Sequence, residues 1–116
     1  MGNAVTHFEV VGKDGAALQQ FYSEAFGWRM NETAPGYAMA LTDADGINRG
    51  VGDGQGGQSH VTFYIEVDDL DEALKTVESL GGSTLMPPLQ IPNGPNIAMF
   101  SDPEGHVIGL AKARPR

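Results

Sequence analysis

At 116 residues, the chain is long enough for one domain with its own hydrophobic core. Its net charge of −8 argues against nucleic acid and anionic membrane surfaces as partners. The lack of cysteine excludes disulfides, thiol nucleophiles and thiolate metal sites. No apolar run has the length of a membrane span or a signal-peptide core, so we expect a cytoplasmic protein.

The first half of the chain predicts the element order β-α-β-β-β. Val5–Val11 is rich in β-branched and aromatic residues, which favours a strand. Asp14 is a good N-cap for a helix that runs to about Phe26, and Gly27 is the expected stop. Turn signals then separate three short strands, predicted over Trp28–Thr33, Tyr37–Thr42 and Ile47–Val51.

The second half predicts the same order again. His60–Val67 is a strong strand, and Asp68-Asp69 opens a helix that reaches Leu80. Three strands follow, and Pro87-Pro88 ends or offsets the first of them and makes it an edge strand. They are predicted over Ser83–Met86, Asn96–Phe100 and Val107–Ala111.

The two halves therefore form a repeat with a period of about 55 residues. We place the first βαβββ module at about residues 4–52 and the second at about 60–112. The glycine-rich stretch Gly50–Ser59, and 53–59 in particular, is expected to be a linker or a mobile loop. Each half is too small to fold alone, so the two modules should pair into one domain.

Four motifs carry a family resemblance that covers essentially the whole chain. They are His7-Phe8-Glu9-Val10, Phe21-Tyr22 with Phe26-Gly27-Trp28, the run Val67–Leu74, and the run Asp102–Leu110. On these motifs the chain resembles the glyoxalase/bleomycin resistance protein/extradiol dioxygenase (vicinal oxygen chelate) superfamily. The resemblance implies an α+β fold in which two βαβββ repeats pair into one glyoxalase-like domain, with curved mixed sheets around a cleft. It also implies a homodimer.

Metal-dependent members of this superfamily take ligands from the first and the last strand of each module. By resemblance, the matching positions here are His7, Thr62, Gly109 and the strand 47–51, whose polar residues are Asn48 and Arg49. One histidine cannot make a site that needs three or four donors, so we expect no metal cofactor. A relocated set of His7, Glu9 and His60 is the less favoured alternative, because a two-residue shift moves a side chain by about 7 Å along a strand.

The candidate catalytic residues are His7 and Glu9, which alternation places on one face of the first strand. A carboxylate beside an imidazole can orient the ring and raise its basicity, as a general base requires. A satisfied polar pair in a half-buried cleft explains the same two residues equally well.

The candidate substrate-binding residues lie on several strands. His60, Thr62 and Tyr64 share one face of their strand, and the hydroxyls of Thr62 and Tyr64 could hold a substrate oxygen. Trp28, Tyr37 and Met39 could supply an apolar wall, although ordinary core packing is the alternative for such side chains. His106 lies in a turn and is expected to be a solvated surface group.

Two functions remain open at this point. One is a metal-independent, glyoxalase-like enzyme that acts on a small oxygenated or carbonyl compound. The other is a non-catalytic protein that binds and sequesters a small molecule, as in the bleomycin-resistance branch. The incomplete ligand set argues against metal-dependent lactoylglutathione lyase and extradiol dioxygenase activity.

Overall fold

A computed structural model describes residues 2–40, 46–53, 59–91 and 94–113 of the chain. The described residues form eight strands and two helices, in the order β-α-β-β-β and again β-α-β-β-β. Their bounds are β1 Val5–Gly12, α1 Gly15–Phe26, β2 Asn31–Ala34, β3 Tyr37–Ala40, β4 Asn48–Asp53, β5 His60–Val67, α2 Leu70–Ser79, β6 Ser83–Gln90, β7 Asn96–Ser101 and β8 Val107–Lys112.

The chain divides into two compact units that share one strand connectivity. The first unit is His7–Thr62, with the strand order β2-β3-β4-β1; the second is Met1–Thr6 with Phe63–Arg116, with the order β6-β7-β8-β5. In each unit the first strand of the module runs parallel to the last, and the other neighbouring strands are antiparallel. The α+β class and the βαβββ repeat are therefore confirmed.

The helix starts follow the predicted capping chemistry. The Asp14 carboxylate accepts a hydrogen bond from the Ala17 N–H at 3.0 Å, and α1 ends at Gly27, whose φ is +73°. Asp69 caps α2 in the same way, accepting from the Glu72 N–H at 3.1 Å. The leucines of α2 then pack against the strands of the second unit, in a core of Leu70, Leu74, Ala98, Phe100 and Leu110.

Three boundaries differ from the sequence predictions. Strand β2 begins at Asn31 and not at Trp28, so the tryptophan lies in the connection before it. Strand β4 continues to Asp53, two residues beyond the predicted end at Val51; most of the predicted linker, 54–58, lies outside the described residues. Strand β6 continues through both prolines, which is possible because it is an edge strand and its pairing with β7 is irregular between Met86 and Leu89.

The sheet of the first unit has two chemically different faces. Phe8 pairs with Arg49, and Ala38 with Val51, on the face that carries α1. The helix is fixed there by its backbone and by a side chain: the Gly15 N–H donates to the Asp53 carboxylate, and Gln19 Nε2 donates to the Val51 carbonyl at 3.1 Å.

The opposite face, called the site face here, carries His7, Glu9, Tyr37, Met39 and Gly50. Neither helix in the described ranges is long and apolar enough to cross a bilayer.

Candidate functional site

Glu9 is the centre of the polar group on the site face. Glu9 is buried, with 9% of its surface exposed, and each of its two carboxylate oxygens has a hydrogen-bond partner. The Tyr37 hydroxyl donates to Oε2 at 3.0 Å, and Nε2 of His60 lies 2.9 Å from Oε1. A buried carboxylate with two such partners satisfies the rule that a charge taken out of water must be hydrogen-bonded.

His7 reaches this group through Tyr37. Its Nε2 lies 3.3 Å from the tyrosine hydroxyl. Burial lowers the pKa of His7 below its usual 6.5, and the negative charge of Glu9 offsets part of that effect. The ring is therefore neutral at pH 7, and the pair of His7 and Glu9 that the sequence predicted is joined by a phenol between them.

Strand register explains why these side chains meet. Glu9 on β1 lies opposite Gly50 on β4, and Gly50 lies opposite Met39 on β3. The Tyr37 hydroxyl packs directly against the backbone of Gly50. A Cβ at position 50 would overlap that hydroxyl and lie 3.0 Å from Nε2 of His7.

The role of Gly50 was missed at the sequence level because the predicted strand Ile47–Val51 was considered only for polar side chains that could bind a metal. The available signal was the alternation Gly50-Val51-Gly52. In a strand, this spacing leaves one face without side chains and keeps a valine on the other.

His60 is the imidazole that contacts Glu9 directly, although His7 was the predicted partner. The side chain of His60 is 31% exposed and that of Glu9 is 11% exposed, so His60 is the member of the pair that a ligand reaches more easily. An imidazole held by a carboxylate is suited to accept and return protons near neutral pH. Thr62 lies two residues further along β5 and is buried.

Trp28 does not lie on the site face. Its ring stacks on Tyr22 of α1 at 5.2 Å with an interplanar angle of 10°, and it meets Phe8 edge-on at 5.9 Å. The Arg49 guanidinium lies 4.7 Å from the centre of the indole ring. Trp28 therefore packs with the helix side of the sheet, as the core-packing alternative expects, and its role in an apolar wall stays a prediction. Met39 lies on the site face, opposite Gly50.

Two other predicted positions lie in the second unit. Tyr64 is buried in the second unit, where it pairs with Gly109 across β5 and β8. His106 is exposed in the turn before β8, as predicted, and its Nδ1 lies 2.9 Å from the Asp102 carboxylate.

Most of the positions that the resemblance matches to metal ligands carry other side chains here. A side chain at position 109 would run into the ring of Tyr64, so the last-strand carboxylate is absent and its space is filled. Arg49 lies on the strand that, by resemblance, would supply another ligand. Its guanidinium lies over the Trp28 ring, on the face opposite the site face. In the described ranges, no three His, Asp or Glu side chains converge as a metal site would require.

The polar group can nevertheless do proton chemistry. It contains a buried carboxylate, a tyrosine hydroxyl, a neutral histidine and a partly exposed histidine, all joined by contacts of 2.9 to 3.3 Å. Such a chain can orient one ring nitrogen toward a ligand and stabilise the positive charge that the ring gains when it takes a proton.

Comparisons with known proteins agree with the fold. The chain is 29% identical over 109 residues to the putative glyoxylase CFP32 of Mycobacterium tuberculosis, a match that covers 86% of this chain and 42% of that protein. It is also 29% identical over 122 residues to the anthracycline biosynthesis protein DnrV of Streptomyces peucetius, covering 89% of this chain and 44% of that protein. The chain thus spans less than half the length of these two relatives.

A solved structure shows the same fold at low sequence identity. It is a glyoxalase/bleomycin resistance protein/dioxygenase superfamily member from Vibrio splendidus 12B01, with a TM-score of 0.64 and 14% identity over 97% of this chain and all of that one. The family model described as Glyoxalase/Bleomycin resistance protein/Dioxygenase superfamily matches residues 4–110. The chain belongs to this superfamily.

Proposed function

We propose that the protein is a metal-independent enzyme that moves a proton on a small carbonyl or other oxygenated compound. The observation that carries the proposal is the contact of 2.9 Å between Nε2 of His60 and a buried Glu9 carboxylate that Tyr37 also binds. The metal independence rests on the donor set, since Gly109 and Thr62 replace two of the usual ligands.

In this proposal His60 is the general base and Glu9 orients it. Glu9 holds the Nε2–H of His60, which leaves Nδ1 as the nitrogen that accepts the substrate proton. The substrate C–H bond next to a carbonyl breaks, its electron pair forms the enolate, and the proton moves to Nδ1. The imidazolium then returns a proton to carbon or to oxygen. Thr62 remains the proposed donor to the substrate oxygen.

The proposal is tested by proton exchange, because exchange requires no knowledge of the final product. Purified protein is incubated in D₂O with a panel of small aldehydes, ketones and 2-oxo compounds, and loss of the C–H signal next to the carbonyl is followed by NMR. We expect exchange with at least one compound. Glu9→Gln should slow it by about 100-fold or more, the usual contribution of general acid–base catalysis.

The matched control is Glu72→Gln. Glu72 is an exposed carboxylate on α2 that pairs with Lys75 at 3.6 Å, so its loss should leave exchange unchanged. Equal exchange by wild type and Glu9→Gln would contradict the role of the carboxylate.

A second candidate function is binding without turnover. It is supported by the bleomycin resistance proteins in the superfamily and by the relative that is named for anthracycline biosynthesis. Bleomycin and an anthracycline are the probes, with affinity measured by calorimetry and the recovered ligand checked for chemical change. Tight binding with an unchanged ligand, together with no exchange in the carbonyl panel, would favour sequestration over catalysis.

The expected homodimer is likewise a proposal, since the superfamily often forms dimers. Sedimentation equilibrium of the purified chain measures it directly. A mass near twice that of the 12.3 kDa chain is the expected result, and a single-chain mass at all concentrations would contradict it.

A further inference from the structure

We propose that Tyr37 is a positioning residue that holds the Glu9 carboxylate and sets the tautomer of His7, and that position 50 is glycine so that the phenol can occupy this place. The inference rests on the proposed function, because it concerns the same proton-transfer group. It gives Tyr37 a role other than the apolar wall that the sequence suggested.

The direction of the hydrogen bonds follows from counting protons. A tyrosine hydroxyl has one proton to donate, and here it is donated to Oε2 of Glu9 at 3.0 Å. The contact of 3.3 Å between the same hydroxyl and Nε2 of His7 must then be one in which His7 donates. Neutral His7 is therefore the tautomer that carries its proton on Nε2, and it cannot act as a base through that nitrogen.

Tyr37 also acts on the carboxylate of Glu9. Oε2 accepts from the Tyr37 hydroxyl, and the other oxygen, Oε1, meets His60. The phenol thereby holds the plane of the carboxylate and presents one oxygen to the exposed histidine. Without the hydroxyl, Oε2 loses the hydrogen bond from Tyr37, and the carboxylate is held less firmly toward His60.

Position 50 is glycine for a steric reason, because its backbone conformation does not itself require glycine. The described glycines with positive φ are Gly27, Gly36, Gly81 and Gly105, so the conformation at Gly50 is open to any residue. A Cβ there would overlap the Tyr37 hydroxyl and lie 2.5 Å from Cζ of the ring. The missing side chain is what allows the phenol to lie between His7 and Glu9.

The test is long-range ¹H–¹⁵N NMR of the histidine rings, which reports the protonated nitrogen directly. The chain has three histidines, and exposed His106 is an internal reference. We expect wild-type His7 at neutral pH to show a protonated Nε2 and an unprotonated Nδ1. Tyr37→Phe should shift both His7 nitrogens toward the averaged values of mixed tautomers, and Gly50→Ala should produce the same change.

Tyr22→Phe is the matched control, because Tyr22 contributes its ring to the stack on Trp28 and lies on the helix side. It should leave the His7 signals unchanged. An unprotonated Nε2 in wild-type His7, or His7 signals that are identical in wild type and Tyr37→Phe, would overturn the proposal.

The NMR result does not depend on activity, so the two proposals can fail separately. A tautomer change in Tyr37→Phe with no proton exchange by the wild type supports the positioning role and rejects the proposed function. Exchange by the wild type that is equally fast in Tyr37→Phe supports the function and rejects the positioning role.

Discussion

Replacing Gly50 with alanine should destabilise the protein, chiefly through Tyr37. The new methyl group would overlap the phenol and crowd Nε2 of His7 at 3.0 Å. Overpacking of this kind costs about 1–3 kcal/mol. A displaced hydroxyl loses its bond to Glu9, worth about 0.5–1.5 kcal/mol. Alanine also restricts the unfolded chain more than glycine does, which stabilises the folded state by about 0.4–1 kcal/mol. The expected net loss is about 2 kcal/mol.

Urea unfolding measures this loss, and Gly12→Ala is the matched control. Gly12 is also a buried strand glycine, but its added Cβ would meet the terminal methyl of Leu18 at 2.8 Å, which can turn aside. We expect that control to change the free energy of unfolding by about 0.5 kcal/mol or less. In a Tyr37→Ala background, Gly50→Ala should lose most of its effect. An undiminished loss in that background would refute the steric reasoning.

Two further predictions concern titration. Because burial lowers the pKa of His7, the unfolded chain binds more protons than the folded one below pH 6.5, so the free energy of unfolding should rise as the pH increases toward 6.5. Urea unfolding between pH 5 and 7 should show this slope in wild type and His106→Gln but not in His7→Gln; an unchanged slope in His7→Gln would be evidence against it. The backbone N–H of His106 is the largest cause of the lowered pKa of Asp102, ahead of its ring, so ¹³C NMR of His106→Ala should still find the Asp102 pKa below 3.8. A return to 3.8 would show that the ring is responsible.

The sequence predicted what depends on local chemistry. The caps Asp14 and Asp69, the stop at Gly27 and the two-module order all follow from side chains that act on their own neighbours. Period-two alternation also placed His7 and Glu9 on one face correctly.

The partners of Glu9 could not be predicted in the same way. Tyr37 and His60 lie 28 and 51 residues away along the chain, and their contacts depend on strand register, which no local pattern determines. The side of the sheet that Trp28 joins was left open for a related reason. The exact start of β2 decides which face the indole joins, and strand ends are set by pairing.

The most direct measurement is the rate of proton exchange after exhaustive metal chelation, on the best compound of the carbonyl panel. We predict that exchange survives chelation, is not increased by added Zn²⁺, Ni²⁺, Mn²⁺ or Fe²⁺, and falls by about 100-fold or more in Glu9→Gln. Exchange that chelation abolishes and one of these metals restores would contradict it, because a metal would then carry the chemistry that we assign to Glu9 and His60.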